Sequence, residues 1–316
     1  MTDINNAIER LDWNREPRAL YEPVEYTLAS GGKRLRPTLA LLASRMFGGR
    51  DEEVMPAALA LEVFHNFTLL HDDVMDRAEV RRGRPTVHVL WNDNTAILSG
   101  DQMMIEAYRL LSGVPEDKLP KVLRMFNDMA TGICEGQQYD MDFETRQDVS
   151  MDEYMHMIKL KTSVLLANAL QTGAYIAGAT DDQQQRLYDY GINLGLAFQI
   201  QDDLLDVYGD PATFGKAIGG DILCGKKTFM LLTALSLATP AQRDELESQL
   251  NATDDEPQHR IAAVTAIYDR LHVREHAEHA IILHTGKALD SLAGLPHNEA
   301  ADTLRSLADK LTTRKI

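Results

Sequence analysis

Cysteine is nearly absent from this chain of 316 residues: Cys134 and Cys224 are the only two. Two thiols cannot build a disulfide framework, and neither has a His or Cys beside it at metal-ligand spacing, so both read as ordinary thiols in a reducing compartment. Basic residues are outnumbered, with 32 Lys and Arg against 48 Asp and Glu and a formal charge of −16. That balance argues against a general nucleic-acid binder and against a protein held on anionic lipid by charge. No run of about 18 apolar residues occurs, so no membrane span is expected. The opening "MTDINNAIERLDWNREPRAL" lacks the apolar stretch of a secretory signal, and the cytoplasm is the expected location. Gly and Pro are sparse, at 20 and 11. Strand-like alternation is hard to find, and no G-x-S-x-G nucleophile elbow is present.

What remains is rich in Ala, Leu, Met, Gln and Glu, which favour helix. The pattern predicts an all-α protein of about a dozen helices, with breaks near residues 30–37, 47–53, 81–85, 112–117, 208–221 and 295–299. None of these has the length or composition of an inter-domain linker, so one large helical domain over residues 1–316 is expected. The stretches "MPAALALEVFHNFTLLHDDVMD" and "YGINLGLAFQIQDDLLDVY" are apolar nearly all round, as befits helices at the centre of a bundle. Gly191 and Gly195, four apart, either let a neighbour approach closely or merely weaken their helix.

Each central helix carries a DDxxD motif near its C-terminal end: Asp72, Asp73 and Asp76, then Asp202, Asp203 and Asp206. Positions i and i+4 share a face, so Asp72 and Asp76 align, with Asp73 about 100° round. Like charges at that spacing repel, and the C-terminus is the negative end of the helix dipole. Two such clusters are costly unless a cation neutralises them. Magnesium suits, since it takes oxygen ligands from one or two carboxylates, water and substrate phosphates. An EF-hand does not fit, because neither motif is a loop with alternating ligands and a central Gly.

Basic residues follow both motifs although the chain is acidic. Arg81 and Arg82 lie after the first; Lys216, Lys226 and Lys227 after the second. "GGKRLRP" adds Lys33, Arg34 and Arg36, and "KLKTSVLL" adds Lys161 and Thr162. Arginine grips phosphate bidentately and lysine as a point charge, so a polyphosphate ligand accounts for the reversal of sign. "GDILCGKKT" nearly matches a nucleotide-binding P-loop, but Lys227 stands at the Ser/Thr position and no strand precedes it.

Taken in order, "GGKRLRP", "HNFTLLHDDVMDRAEVRRGRPTVH", "GDQM", "GQQYDMDF", "KTS", "FQIQDDLLD", "FGK", "GGDI" and "GKKT" resemble the trans-isoprenyl diphosphate synthases, or polyprenyl synthetases. The likeness runs from about Gly31 to Lys227; after about residue 240 only generic helices match. The resemblance implies an isoprenoid-synthase bundle with a deep central cavity, homodimeric, that condenses isopentenyl diphosphate with an allylic diphosphate. It implies a cluster of magnesium ions, three per site, on Asp72, Asp73, Asp76, Asp202, Asp203 and Asp206. It further implies that Arg81, Lys161, Thr162, Gln199, Lys216 and Lys226 contact the allylic diphosphate or the cation formed from it. Lys33, Arg36, His65 and Arg82 would hold the diphosphate of isopentenyl diphosphate, although a lone His in an apolar helix is otherwise a core residue.

In this family, product length is read largely from the positions four and five before the first Asp, here Thr68 and Phe67. A helical wheel sets Thr68 about 40° and Phe67 about 140° from Asp72, so geometry favours Thr68 and the resemblance favours Phe67. The uninterrupted DDxxD resembles synthases of twenty-carbon chains, with farnesyl or longer products as alternatives. Two rivals remain: a terpene cyclase, for which "GGKRLRP" would have no second diphosphate, and a non-catalytic partner subunit, which would lack one acidic motif.

Overall fold

The structure, a computed structural model, describes residues 2–210, 218–252 and 256–312. Among the described residues there are sixteen α-helices and one two-stranded hairpin. The chain divides into two compact units. The first comprises Met1–Asn127, Asn168–Tyr188 and Leu295–Asp302; the second comprises Asp128–Ala167, Asp189–Gly294 and Thr303–Ile316.

The first unit is organised on α4 (Asp51–Met75), flanked by α1 (Thr2–Glu9), α2 (Arg18–Ala29), α3 (Leu35–Met46), α5 (Val87–Leu90) and α6 (Asp93–Leu111). Asp51, Glu52 and Glu53 fill the first turn of α4, the end at which the helix dipole favours anions. Val54, Ala57, Ala58, Ala60, Leu61, Val63 and Phe64 on α4 are all almost fully buried, as an all-round apolar helix requires.

Between α4 and α5 the chain forms the hairpin β1 (Val80–Arg81) and β2 (Arg84–Pro85), with Val80 opposite Pro85 and Arg81 opposite Arg84. The sequence pattern predicts a break here and no sheet. Arg82 and Gly83 have φ of 53° and 73°, the pair of left-handed residues that closes a two-residue hairpin with the twist of its strands. Four paired residues are too few for alternation to register. Tyr26 on α2 anchors the hairpin: its hydroxyl donates to Pro85 O over 2.7 Å, and the Arg84 guanidinium lies 4.0 Å from its ring centroid. Thr86 Oγ1 donates to Ala78 O over 2.7 Å and closes the base.

Four helices continue from one unit's residues into the other's: α7 (Leu119–Thr145), α9 (Val164–Ile176), α10 (Asp181–Tyr208) and the last helix, Glu299–Thr312. Within the second unit, α8 (Met151–Ile158) opens with a reciprocal Ser150–Glu153 capping box. It runs directly into a π-helical turn, Lys159–Ser163, which carries the "KLKTS" segment. Such turns are rare and cluster at functional sites. A Cβ on Gly195 would fall 2.6 Å from Ser163 Cα, and one on Gly191 would fall 2.4 Å from Ala167 Cα. These glycines therefore serve close approach. They let α10 pass backbone to backbone over the π turn and the start of α9.

The remaining helices are α11 (Gly220–Cys224), α12 (Phe229–Leu237), α13 (Pro240–Leu250), α14 (Pro257–Arg270), α15 (Val273–Ser291) and α16 (Glu299–Thr312). Helix α12 packs on α8, α14 and α15. The P-loop near-miss becomes the short α11, ended by Gly225 at φ 62°, and among the described residues no strand leads into it.

Candidate active site

The first motif ends α4. Asp76 caps the helix, and its N–H donates to Asp72 O over 2.8 Å. Asp72 is half-buried and Asp76 exposed, while Asp73 is buried. Arg81 on β1 closes on Asp73: Nε lies 2.7 and 2.9 Å from its two carboxylate oxygens, and Nη2 lies 2.7 Å from Oδ1. Both oxygens of Asp73 are thus committed to Arg81, a charge-assisted fork. On the helix its side chain stands about 100° from the Asp72–Asp76 face. A pocket opens beside this pair, lined by Tyr26, Asn66, Leu69, Asp73, Arg81 and Arg82 among others.

The remaining basic residues expected here gather around His65 on α4. Arg82 donates to Gly31 O, and its guanidinium occupies space that a Cβ on Gly32 would take, 3.0 Å away. Arg36 Nε is buried with no hydrogen-bond partner among the described residues. Burial pulls the Arg36 pKa down to about 10, partly offset by Glu62. Burial likewise holds His65 well below its ordinary value, reinforced by Arg36, Arg82, Arg81 and Arg34. His65 is therefore neutral at neutral pH, and the cluster around it is cationic with an unanswered donor. That is the electrostatic form of an anion site. Lys33, exposed, stands at the same turn.

In the second unit, the middle residue of the second motif is again committed inward. Asp203 accepts from the Tyr154 hydroxyl, from Phe229 N–H over 2.8 Å and from Gln199 Nε2 over 3.2 Å. It is buried, and burial raises its pKa to about 7. It therefore ties α8, α10 and α12 together and orients Gln199, whose Oε1 accepts from Thr162 over 3.1 Å. Asp202 is half-buried, whereas Asp206 is buried and accepts from Asp221 N–H over 3.0 Å.

Lys161 and Lys226 meet on Asp140 of α7. Their ammonium groups lie 2.6 and 3.7 Å from Asp140 Oδ2. Burial favours the neutral acid, but Lys226 and Lys161 outweigh it and hold Asp140 below the usual carboxylate range. A Cβ on Gly136, one turn earlier, would sit 2.5 Å from Lys161 N, so glycine is what lets α7 reach the π turn. The motif "GQQYDMDF" carries no local sign of Asp140's role, since its partners lie 21 and 86 positions away. Tyr154 and Glu62 likewise carry no motif that marks them in the sequence. Lys216 lies outside the described residues.

Among the described residues, no three His, Cys, Asp or Glu side chains gather into a metal-binding group. The two motifs together bring six carboxylates, Asp72, Asp73 and Asp76 on α4 and Asp202, Asp203 and Asp206 on α10. That donor set fits magnesium, which completes its shell with water and substrate phosphate oxygens.

The sequence profile of the polyprenyl synthetase family matches residues 17–268. The chain belongs to the polyprenyl synthetase family. It is a trans-prenyltransferase, and the family match extends past the last motif into α14. The chain is 39% identical over 300 residues to a short chain isoprenyl diphosphate synthase of Methanothermobacter thermautotrophicus, covering 95% of this chain and 91% of that one. It is 42% identical over 233 residues to a geranylgeranyl diphosphate synthase of Methanosarcina mazei, covering 73% and 72%. A crystal structure of a geranylgeranyl pyrophosphate synthase superposes with a TM-score of 0.92 at 44% identity, covering 100% and 96%. Among the described residues, no helix of this prenyltransferase is long and apolar enough to cross a membrane.

Proposed function

We propose that the enzyme joins isopentenyl diphosphate head-to-tail to an allylic diphosphate, with magnesium, and that its product is geranylgeranyl diphosphate. The observation that carries this reading is the second anion set. Arg36, Arg82 and neutral His65 form a cationic cluster about two turns before Asp72 along α4, with Arg36 Nε buried and unanswered. A cyclase handles one diphosphate and has no use for a second cluster.

In this reading Asp72, Asp76, Asp202 and Asp206 hold magnesium on the allylic diphosphate. When bound there, magnesium supplies positive charge against the departing diphosphate. Arg81, Lys161, Lys226 and Lys216 add fixed positive charge to the same leaving group, the electrostatic form of catalysis. The Thr162–Gln199 pair is preorganised by Asp203 to face the allylic cation with oxygen rather than N–H. Lys33, Arg36, His65 and Arg82 hold isopentenyl diphosphate so that its double bond attacks the cation. The new carbon then loses a proton to the released diphosphate, so no protein nucleophile is needed.

The product length is supported by aromatic packing on α4. Phe67 stands edge-on to His71 at 4.8 Å and against Phe64 at 5.4 Å; Phe64 meets Phe126 at 5.1 Å. Thr68 has its hydroxyl spent on His65 O at 2.9 Å. Phe67 is therefore the better stop for a growing chain, and relatives named as geranylgeranyl diphosphate synthases favour twenty carbons over fifteen.

The protein acts as a homodimer through α5 and α6. Leu90, Leu98 and Ile105 are 48%, 58% and 55% exposed there, which a second copy would cover. The exposed unpaired Cys134 and Cys224 support a cytoplasmic enzyme. The test is to incubate the purified chain alone with magnesium, isopentenyl diphosphate and dimethylallyl diphosphate, and to chromatograph the dephosphorylated products. Geranylgeraniol is expected. Farnesol or longer alcohols would correct the length, and no elongation would favour a non-catalytic subunit.

A further inference from the structure

Arg34 belongs to the "GGKRLRP" segment, but it is not placed as a ligand. It is buried, and it caps α3 with φ 46° and ψ 40°. A side chain in that left-handed region is strained and persists only where the surroundings over-determine it. Here they do. Nη1 donates to Glu62 Oε1 over 2.7 Å and Nη2 to Leu28 O over 2.6 Å. Glu62 is itself 2% exposed, in the middle of α4, and its Oε1 also accepts from Asn66 Nδ2 over 3.1 Å. The flanking residues have the opposite character: Lys33 is exposed, and Arg36 carries a buried donor without a partner.

We propose that Glu62 and Arg34 form a positioning strut for the metal-free anion set, locking the turn that presents Lys33 and Arg36 to the diphosphate of isopentenyl diphosphate. This inference rests on the reading of that set given above. The charges around it are Arg34, Arg36, Arg81 and Arg82, with Glu62 and Asp73 as the carboxylates and His65 as a neutral titratable neighbour. Glu62 sits one turn before Asn66 and three residues before His65, so a single helix face carries both the strut and the neutral imidazole. The strut lets the reversed turn hold its form before any anion arrives. A ligand then meets preset donors and spends no affinity on ordering them.

Removing one partner of a buried ion pair strands the other, whereas replacing both by apolar residues of similar size is often neutral for stability. Three variants are therefore compared: Glu62→Gln, the conservative Glu62→Asp, and the double variant Arg34→Met with Glu62→Leu. The double variant is expected to melt within a few degrees of wild type, yet to raise KM for isopentenyl diphosphate about tenfold. KM for the allylic diphosphate and kcat should stay within about twofold to threefold. Glu62→Asp should restore most of the affinity that Glu62→Gln loses. The inference is overturned if the double variant binds isopentenyl diphosphate normally, or if both KM values rise together. Arg36→Gln, measured alongside, separates the two levels. If it too leaves KM for isopentenyl diphosphate unchanged, the reading of the anion set fails. If it raises that KM and the strut variants do not, only the strut fails.

Discussion

The Lys161 ammonium donates to Asp140 Oδ2 over 2.6 Å, and Lys226 approaches the same oxygen to 3.7 Å. One carboxylate thus holds two like charges that would otherwise repel. Lys161 comes from a π turn and Lys226 from the loop after α11. Asp140→Asn keeps the shape but removes the counter-charge. It should lower kcat/KM for the allylic diphosphate about tenfold, equivalent to about 1.4 kcal/mol of lost transition-state stabilisation. KM for isopentenyl diphosphate should not change. Steady-state kinetics with each substrate varied in turn will check this, and equal losses on both would remove Asp140 from the allylic side.

The two kinds of Asp in each motif should separate under magnesium titration. Asp72→Ala and Asp202→Ala should each cut turnover by roughly two to four orders of magnitude while far-UV circular dichroism stays native. Residual activity in each should need more magnesium. Asp73→Asn should act differently, because its oxygens are spent on Arg81. It should cost about tenfold in turnover and leave the half-saturating magnesium within about twofold. A large magnesium shift in Asp73→Asn would return that residue to the ligand set. Chelation by EDTA should abolish wild-type turnover reversibly.

Phe67 is only partly buried, whereas Phe64 beneath it is 1% exposed. Phe67→Ala should therefore be mild for stability and lengthen the product beyond twenty carbons. Phe64→Ala alone would empty a core site at a cost of about 3–5 kcal/mol. Chromatography of the dephosphorylated products decides the matter. An unchanged product from Phe67→Ala would pass the role of stop to Thr68.

The helical class was legible because two long segments are apolar on every side and flanked by good helix formers, and α4 and α10 are those segments. The commitment of Asp73 was half-legible: the wheel already placed it off the Asp72–Asp76 face, but its partner Arg81 sits on a hairpin too short to show alternation. Glu62 left a clear trace, an acid inside "ALALEVFHNF", yet only tertiary packing reveals Arg34 as the reason. The roles of Asp140 and Tyr154 were not legible at all, since their partners come from distant turns. Two compact units also left no trace in composition, because the chain passes between them inside continuous helices rather than through a linker.

Below about pH 6.5 His65 should cost the ligand-free protein stability, a loss that Asp203, raised to about 7 by burial, opposes in the same window. Burial, with Arg36, Arg82, Arg81 and Arg34, holds the folded pKa of His65 well below the ordinary value of 6.5. Between those two values the unfolded chain binds a proton that the folded chain refuses, so unfolding free energy rises with pH across that window. One such group contributes at most about 1.4 kcal/mol per pH unit, and nothing above the window. His284, also lowered by burial and by Lys287, contributes with the same sign, so the comparison must be between wild type and His65→Gln. Denaturant unfolding at successive pH values from about 7 downward should give a shallower slope for His65→Gln than for wild type. Parallel slopes would mean that His65 accepts its proton in the folded protein as readily as in the unfolded chain. The cationic cluster around it would then be weaker than the geometry of Arg36 and Arg82 implies.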